Sequence, residues 1–321
     1  MMTKLMRTVV VEGPRQARVM KVPVPTPGPG QVLVKVSAVT TCPQWDMHIY
    51  YGKPMFGDSI SYPYPAGQPG HEMTGIVVET GRDANRLRPG QAVCAWRDPG
   101  HSNAGCYAEY VLMDEANLIE VPSHLAPAAV VSLELAMCVA SLILRLNAFT
   151  PIKDKKCGVN GLGPAGLIAV QMLRAEGASS VIGIDPHPDR RSLSLTLGAT
   201  EAYEPGCNEL PDRMHRDAIQ LAVDCVGYPQ AVHALMSHTR EALGLFAVQR
   251  EPYTLDQRGL SIIGYPGHYR EAAEYALKLI AENQLDLRSL ISKELPLESY
   301  EEGVELLKKQ EAIKICFVPT M

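Results

Sequence analysis

The sequence is short of several things, and each shortage removes a class of protein. It has no excess of one charge: 30 Lys and Arg stand against 35 Asp and Glu, for a net charge of −5. That ordinary balance points to neither nucleic acid nor an anionic membrane as partner. Long hydrophobic runs are missing. The longest, around Ala136–Leu144, falls short of the roughly 18–20 residues that cross a bilayer and reads as a buried helix. The N-terminus shows no cleavable signal pattern, and the eight cysteines lack the spacing of a disulfide framework. A reducing, cytoplasmic location is the expectation. No internal repeat or low-complexity tract is evident.

What is present divides in two. With 321 residues, 46% of them hydrophobic, the chain is long enough for two domains with sizeable cores. Its first half reads as mostly β, after a proline-rich opening at Pro23, Pro25, Pro27 and Pro29. Strands are expected at Val32–Val39, Gly75–Gly81, Gln91–Ala95 and Tyr107–Leu112, then helical patterns over about 127–147. From residue 150 strands and helices alternate, with strands at Lys156–Asn160, Ser180–Ile184, Leu221–Val226, Leu245–Val248 and Ser261–Gly264. A helix follows at about Arg270–Asn283, and Ile313–Val318 reads as a final strand. Such alternation implies a parallel, doubly wound sheet. The fold class is therefore α/β, a β-rich domain joined to a dinucleotide-binding one.

The sharpest motif is Gly161-Leu162-Gly163-Pro164-Ala165-Gly166, between a strand and a helix, with Asp185 placed 19 residues beyond at the end of the next strand. In such a loop the first glycine makes the tight turn, the second admits a pyrophosphate, and the third lets helix and sheet pack closely. The phosphates then meet the free N–H groups of a helix N-terminus. Asp185 suits a ribose diol and repels a 2′-phosphate, which favours NAD over NADP. Arg190 and Arg191 nearby are candidates to receive such a phosphate. The rival reading is a glycine-rich turn in another βαβ unit.

Three places in the first half offer zinc-type ligands: Cys42 at a strand end, His71-Glu72 just before a strand, and Glu134 at the start of an apolar helix. Each alone also reads blandly, as a small buried hydrophobe, a loop histidine or a solvated glutamate. A zinc ion there would polarise an alcohol or carbonyl oxygen.

These residues resemble the medium-chain dehydrogenase/reductase superfamily, in particular its zinc-dependent alcohol and polyol dehydrogenases, over nearly the whole chain. Gly70-His71-Glu72-Met73-Thr74-Gly75 is similar to the family's G-H-E-x-x-G, Ser132–Ala136 to its E-P-L-A segment, and Leu197-Gly198-Ala199-Thr200 to its L-G-A-[DT]. Asp224-Cys225-Val226-Gly227 resembles D-x-x-G, and Ala312–Ile315 the tail whose basic residue reaches the pyrophosphate. The resemblance implies a GroES-like catalytic domain over residues 1–148 and 289–321, and a Rossmann domain over 149–288. It implies one catalytic zinc on Cys42, His71 and Glu134, with Glu72 near enough to exchange onto it. It gives Cys225, Val226, Gly227 and Lys314 to the cofactor, and a homodimer or homotetramer as assembly.

Departures from the family pattern bear on chemistry. After the cysteine stands Cys42-Pro43-Gln44-Trp45-Asp46-Met47-His48, with one residue inserted and the usual hydroxyl missing. Asp46 and His48 are the remaining catalytic candidates. His48 has the pKa range to pass a proton outward; equally it reads as a helix-surface histidine. Between Val93 and Tyr107 only Cys94 and Cys106 remain, so no structural zinc is expected. Gln249-Arg250 replaces a glycine after the fifth Rossmann strand.

Six of the 19 aromatics (13 Tyr, 4 Phe, 2 Trp) fall between Trp45 and Tyr64: Trp45, Tyr50, Tyr51, Phe56, Tyr62 and Tyr64. They read as a ring-lined pocket or as a loop packed on itself, with Trp45 the best pocket candidate. Lys53, Arg97 and His101 are candidates for an anionic substrate group. The expected activity is NAD(H)-dependent interconversion of an alcohol, a secondary alcohol or polyol, and a carbonyl by zinc-assisted hydride transfer. The alternatives are a zinc-free, NADPH-dependent enone or quinone reductase and a non-catalytic NAD-binding protein.

Overall fold

The structure is a computed structural model that describes residues 4–55, 59–254 and 259–321. The chain forms two compact units, residues 1–135 with 287–321, and residues 136–286. The division falls within a helix, about a dozen residues before the boundary expected at 148.

The first unit opens with an antiparallel ribbon of β1 (Leu5–Gly13) and β2 (Gln16–Pro23). It continues with β3 (Gln31–Thr40), α1 (Pro43–Tyr51), β4 (Glu72–Thr80), β5 (Ala92–Ala95), β6 (Tyr110–Asp114), β7 (Leu118–Glu120) and the short α2 (Pro127–Val130). Strand β6 begins three residues later than expected, leaving Tyr107 in the approach to it. The helix α3 (Leu133–Phe149) follows.

The second unit alternates β8 (Lys156–Asn160), α4 (Pro164–Ala175), β9 (Ser180–Ile184), α5 (Pro188–Thr196), β10 (Glu201–Tyr203), β11 (Ile219–Asp224), α6 (Pro229–His238), β12 (Thr239–Leu245), β13 (Ser261–Gly264) and α7 (Arg270–Ala281). The chain then returns to the first unit with β14 (Ile291–Leu295), α8 (Tyr300–Lys308) and β15 (Lys314–Phe317).

The strand expected at Leu245–Val248 is a correction: the sheet takes Thr239–Leu245. Phe246 and Ala247 instead donate their N–H groups to the Asp224 carbonyl, so those apolar residues belong to the loop after the strand. The helical stretch Pro127–Phe149 also corrects the hydrophobic reading. By length and composition alone it could cross a bilayer. However, 67% of its most apolar window is buried within the fold, and α2 and α3 are separate elements, which fits a core helix.

The six-stranded sheet runs β10-β9-β8-β11-β12-β13 with every pairing parallel. Strand order reverses on the two sides of β8, and ligands of such sheets bind at the carboxyl ends of the strands at that switch point. The other sheet runs β14-β15-β3-β4-β5-β7, with β6 also on β3. Its core includes Val34, Val36, Val39, Met73, Val77, Tyr107 and Phe317. Strands β3, β4 and β15 carry or adjoin Cys42, His71, Glu72 and Lys314.

Candidate metal centre and dinucleotide loop

Register explains why Cys42 and His71 meet. Thr40 of β3 is paired with Glu72 of β4 in an antiparallel ladder. Cys42 lies two residues beyond Thr40 and His71 one before Glu72, so this pairing brings both to the same end of the ladder. Ligand atoms of Cys42, His71 and Glu72 lie within 4.8 Å of one another. Glu134, in the first turn of α3, puts Oε2 3.8 Å from His71 Nε2. His71 Nδ1 is 2.9 Å from the Pro69 carbonyl. A carbonyl only accepts, so Nδ1 carries the proton and Nε2 faces the cluster, the orientation of a metal ligand. Burial, the largest influence, opposes a charged ring. The Cys42 side chain and the charges of Glu134 and Glu72 outweigh it and hold His71 well above its ordinary pKa. The cluster therefore demands positive charge, and a thiol, an imidazole and carboxylates are the donors that zinc takes.

Glu72 and Lys314 behave differently from expectation. Lys314 is fully buried, and its Nζ donates to both Glu72 oxygens at 2.7 Å. Thr40 Oγ1 donates to the same carboxylate at 3.1 Å and lies 2.9 Å from Ser132 Oγ. Lys314 is thus no phosphate contact: it neutralises a buried carboxylate one residue from His71. A buried carboxylate needs such a partner, and β15 supplies it by pairing with β3. Glu72 lies within the cluster but is held from behind, so Glu134 is the carboxylate better placed to serve as a ligand.

Asp46 and His48 are corrected too. Asp46 is fully buried and accepts hydrogen bonds from the Cys42 N–H (2.9 Å), the Tyr107 hydroxyl (2.9 Å) and the Tyr300 hydroxyl (2.9 Å). Burial raises its pKa to about 6, against the lowering effect of these donors. By accepting the Cys42 N–H it braces the turn that carries Cys42. The His48 ring bonds the Lys53 carbonyl, and the Lys53 N–H donates to the His48 carbonyl at 3.0 Å. That ties the histidine to the end of α1, where the structure gives it no part in the Cys42 cluster.

Most of the aromatics pack as core. Tyr50 is buried, while Tyr51, Tyr62, Tyr64 and Trp45 lie against the same cluster. Trp45 also packs against His101, with ring centroids 4.6 Å apart and the rings tilted by 42°. Phe56 lies outside the described residues. Lys53 and Arg97 are both exposed.

The second site is built mainly from backbone. Gly161 has φ +85°, and a Cβ on Gly166 would stand 1.8 Å from the Gly161 carbonyl oxygen. Neither position admits a side chain. A Cβ on Gly163 would meet nothing within 4 Å, an open cradle at the N-cap of α4, with Pro164 opening the helix and Ala165 following it. These features fit a pyrophosphate. Asp185, 3% exposed, accepts the Leu162 N–H and the His187 N–H at 2.8 Å each. A carboxylate has about four acceptor positions, so capacity for a ribose diol remains. Arg190 lies 3.8 Å from Asp185, and Arg191 donates to the Asp185 and Pro186 carbonyls. After β11, Asp224 accepts the Val226 and Gly227 N–H groups at 3.3 and 2.8 Å, and Cys225 and Val226 flank Gly161.

Sequence reasoning missed the Lys314–Glu72 pair and the Tyr107–Asp46–Tyr300 contacts. Thr40 alone carried a local signal, lying two residues before Cys42 at the strand's end.

A doubly wound nucleotide sheet and a Cys–His–Glu cluster in a β-rich unit together define an oxidoreductase of the dehydrogenase kind. The chain matches the alcohol dehydrogenase GroES-like domain over residues 28–123 and the zinc-binding dehydrogenases over residues 164–282. It belongs to the zinc-dependent medium-chain dehydrogenase/reductase superfamily. It is 27% identical to an L-threonine 3-dehydrogenase of Bacillus velezensis, over 94% of this chain and 95% of that one. Its fold is similar to that of 2R,3R-butanediol dehydrogenase from Bacillus subtilis (TM-score 0.83, 22% identity, 98% of this chain and 99% of that one). It is also similar to that of the alcohol dehydrogenase TADH from Thermus sp. ATN1 (TM-score 0.80, 24% identity, 97% and 99%).

Proposed function

We propose that the chain interconverts a secondary alcohol and its ketone by hydride transfer to and from NAD, with one zinc ion held by Cys42, His71 and Glu134. The observation that carries this is the gathering of the Cys42, His71 and Glu72 donor atoms within 4.8 Å, with Glu134 at 3.8 Å from the inward-facing ring nitrogen of His71. A zinc ion bound there supplies Lewis acidity to the alcohol or carbonyl oxygen and lowers the pKa of a bound alcohol. The chain's own residues do the rest. Asp46 and the Cys42 N–H hold the thiol-bearing turn, and Lys314 draws the Glu72 charge away from the cluster. Asp185 places negative charge where a 2′-phosphate would sit, which supports NAD over NADP. The butanediol and threonine enzymes are named for substrates with a secondary hydroxyl next to another polar group, and that is the substrate class proposed. The eight free cysteines are in keeping with a cytoplasmic site of action.

Metal analysis of the purified protein tests the reading together with Cys42→Ser. The expected result is bound zinc in the parent and loss of both zinc and alcohol-dependent NADH formation in the variant. A parent without zinc, whose turnover ignores chelators, would replace this reading with a zinc-free enone or quinone reductase.

A further inference from the structure

We infer that Arg250 holds the anionic pyrophosphate of the dinucleotide, the task that Lys314 is too deeply buried to perform. The inference rests on the proposal that the second unit binds such a cofactor.

Arg250 follows β12, and its position comes from backbone stitching. Its N–H donates to the Gly227 carbonyl at 2.9 Å. The Phe246 and Ala247 N–H groups donate to the Asp224 carbonyl at 3.0 and 3.2 Å, and a Cβ on Gly227 would stand 2.3 Å from the Val248 carbonyl oxygen. The loop after β12 is thereby clamped to the loop after β11. That loop in turn lies against the glycine turn: a Cβ on Gly161 would be 2.7 Å from Val226 Cγ2 and 3.3 Å from the Cys225 carbonyl carbon. Three adjacent strand ends, β8, β11 and β12, thus present their loops side by side. Arg250 stands five residues beyond β12, and its N–H bond to the Gly227 carbonyl keeps its backbone beside the loop that flanks Gly161. From there a side chain of arginine's length can reach toward the turn.

The side chain has a partner to find. Arg250 Nε is shielded from solvent and makes no hydrogen bond among the described residues, nor does Arg250 form an ion pair there. A buried unpaired donor on a permanent charge is costly. Among the described residues, neither the adjacent Glu251 nor Asp224 at the end of β11 relieves it. Glu251 is exposed, and the Asp224 carboxylate is occupied by Asn160, Val226 and Gly227. The guanidinium fork matches phosphate oxygens bidentately, which no other side chain does as well.

Titration of NADH fluorescence, with ADP-ribose and adenosine as competitors, tests this on the intact protein. Arg250→Met should weaken NADH and ADP-ribose about tenfold each, the loss of one charge-assisted contact. Adenosine, which lacks phosphate, should bind unchanged, and Arg250→Lys should recover part of the loss. Circular dichroism and melting should match the parent for Arg250→Lys, which keeps the experiment readable if the methionine variant unfolds. Unchanged affinity for NADH and ADP-ribose would overturn the inference. So would a loss confined to NADH, which would move the contact to the nicotinamide half. A parent that binds neither nucleotide would instead refute the cofactor reading, and this inference with it.

Discussion

The two units solve the same problem, holding charge in place, by opposite means. In the second unit the candidate site is mostly backbone: a positive-φ glycine, a helix N-terminus, and N–H groups gathered by Asp185 and Asp224. In the first unit it is side chains taken out of water. Cys42, His71, Glu72, Asp46 and Lys314 come from strands, a turn and a helix, and each is held by another. A backbone site tolerates changes of side chain but not of volume. A side-chain site tolerates small changes of volume but not a missing partner. That difference can be broken or sharpened by experiment.

The largest effect is expected at Gly166. Alanine there forces a methyl to within 1.8 Å of the Gly161 carbonyl oxygen, where only backbone can yield. A cost on the order of 4 kcal/mol is expected, with loss of NADH binding, read by urea denaturation and fluorescence titration. A Gly166→Ala variant that binds NADH normally would show that the turn is not rigid, and the contrast between the units would fail.

Next comes Lys314→Met. Removing one partner of a buried ion pair costs about 3–5 kcal/mol, so the melting temperature should fall sharply while NADH affinity stays unchanged. A variant that kept its stability but lost NADH affinity would restore Lys314 to the phosphate role and remove it as the counter-ion of Glu72.

The smallest effect is expected at Asp185. Serine there removes the charge and leaves the Leu162 and His187 N–H groups short of an acceptor, so a modest loss of stability accompanies the change in cofactor preference. The ratio of NADH to NADPH affinities should fall about tenfold, equivalent to about 1.4 kcal/mol. A parent enzyme that already prefers NADPH would refute the assignment of Asp185.

The same contrast explains how much was legible beforehand. The glycine turn, its flanking strand and helix, and the parallel alternation are local. Spacing within some 30 residues specifies them, because each glycine answers a steric demand of its own turn. Cys42, His71 and Glu134 could be named as ligand types and through family resemblance. Their meeting depends on the β3–β4 register and on where α3 begins, neither of which is local. Lys314 shows the limit. As a basic residue in the tail it matched a pyrophosphate contact, yet the pairing of β15 with β3 delivers it to Glu72, 242 positions away. His48 failed for a smaller reason: a helix end offered its ring a nearby carbonyl.

By itself the sequence determined the order of elements, the parallel nucleotide sheet and the open glycine cradle, since periodicity and glycine placement act over a few residues. Only the tertiary structure decided which charges face each other. It made Lys314 the counter-ion of Glu72 and gave Asp46 the Cys42 N–H and the hydroxyls of Tyr107 and Tyr300 as partners. The physical reason is that desolvated charge takes the partner that long-range strand pairing brings within about 3 Å, and that partner is rarely a neighbour in the chain.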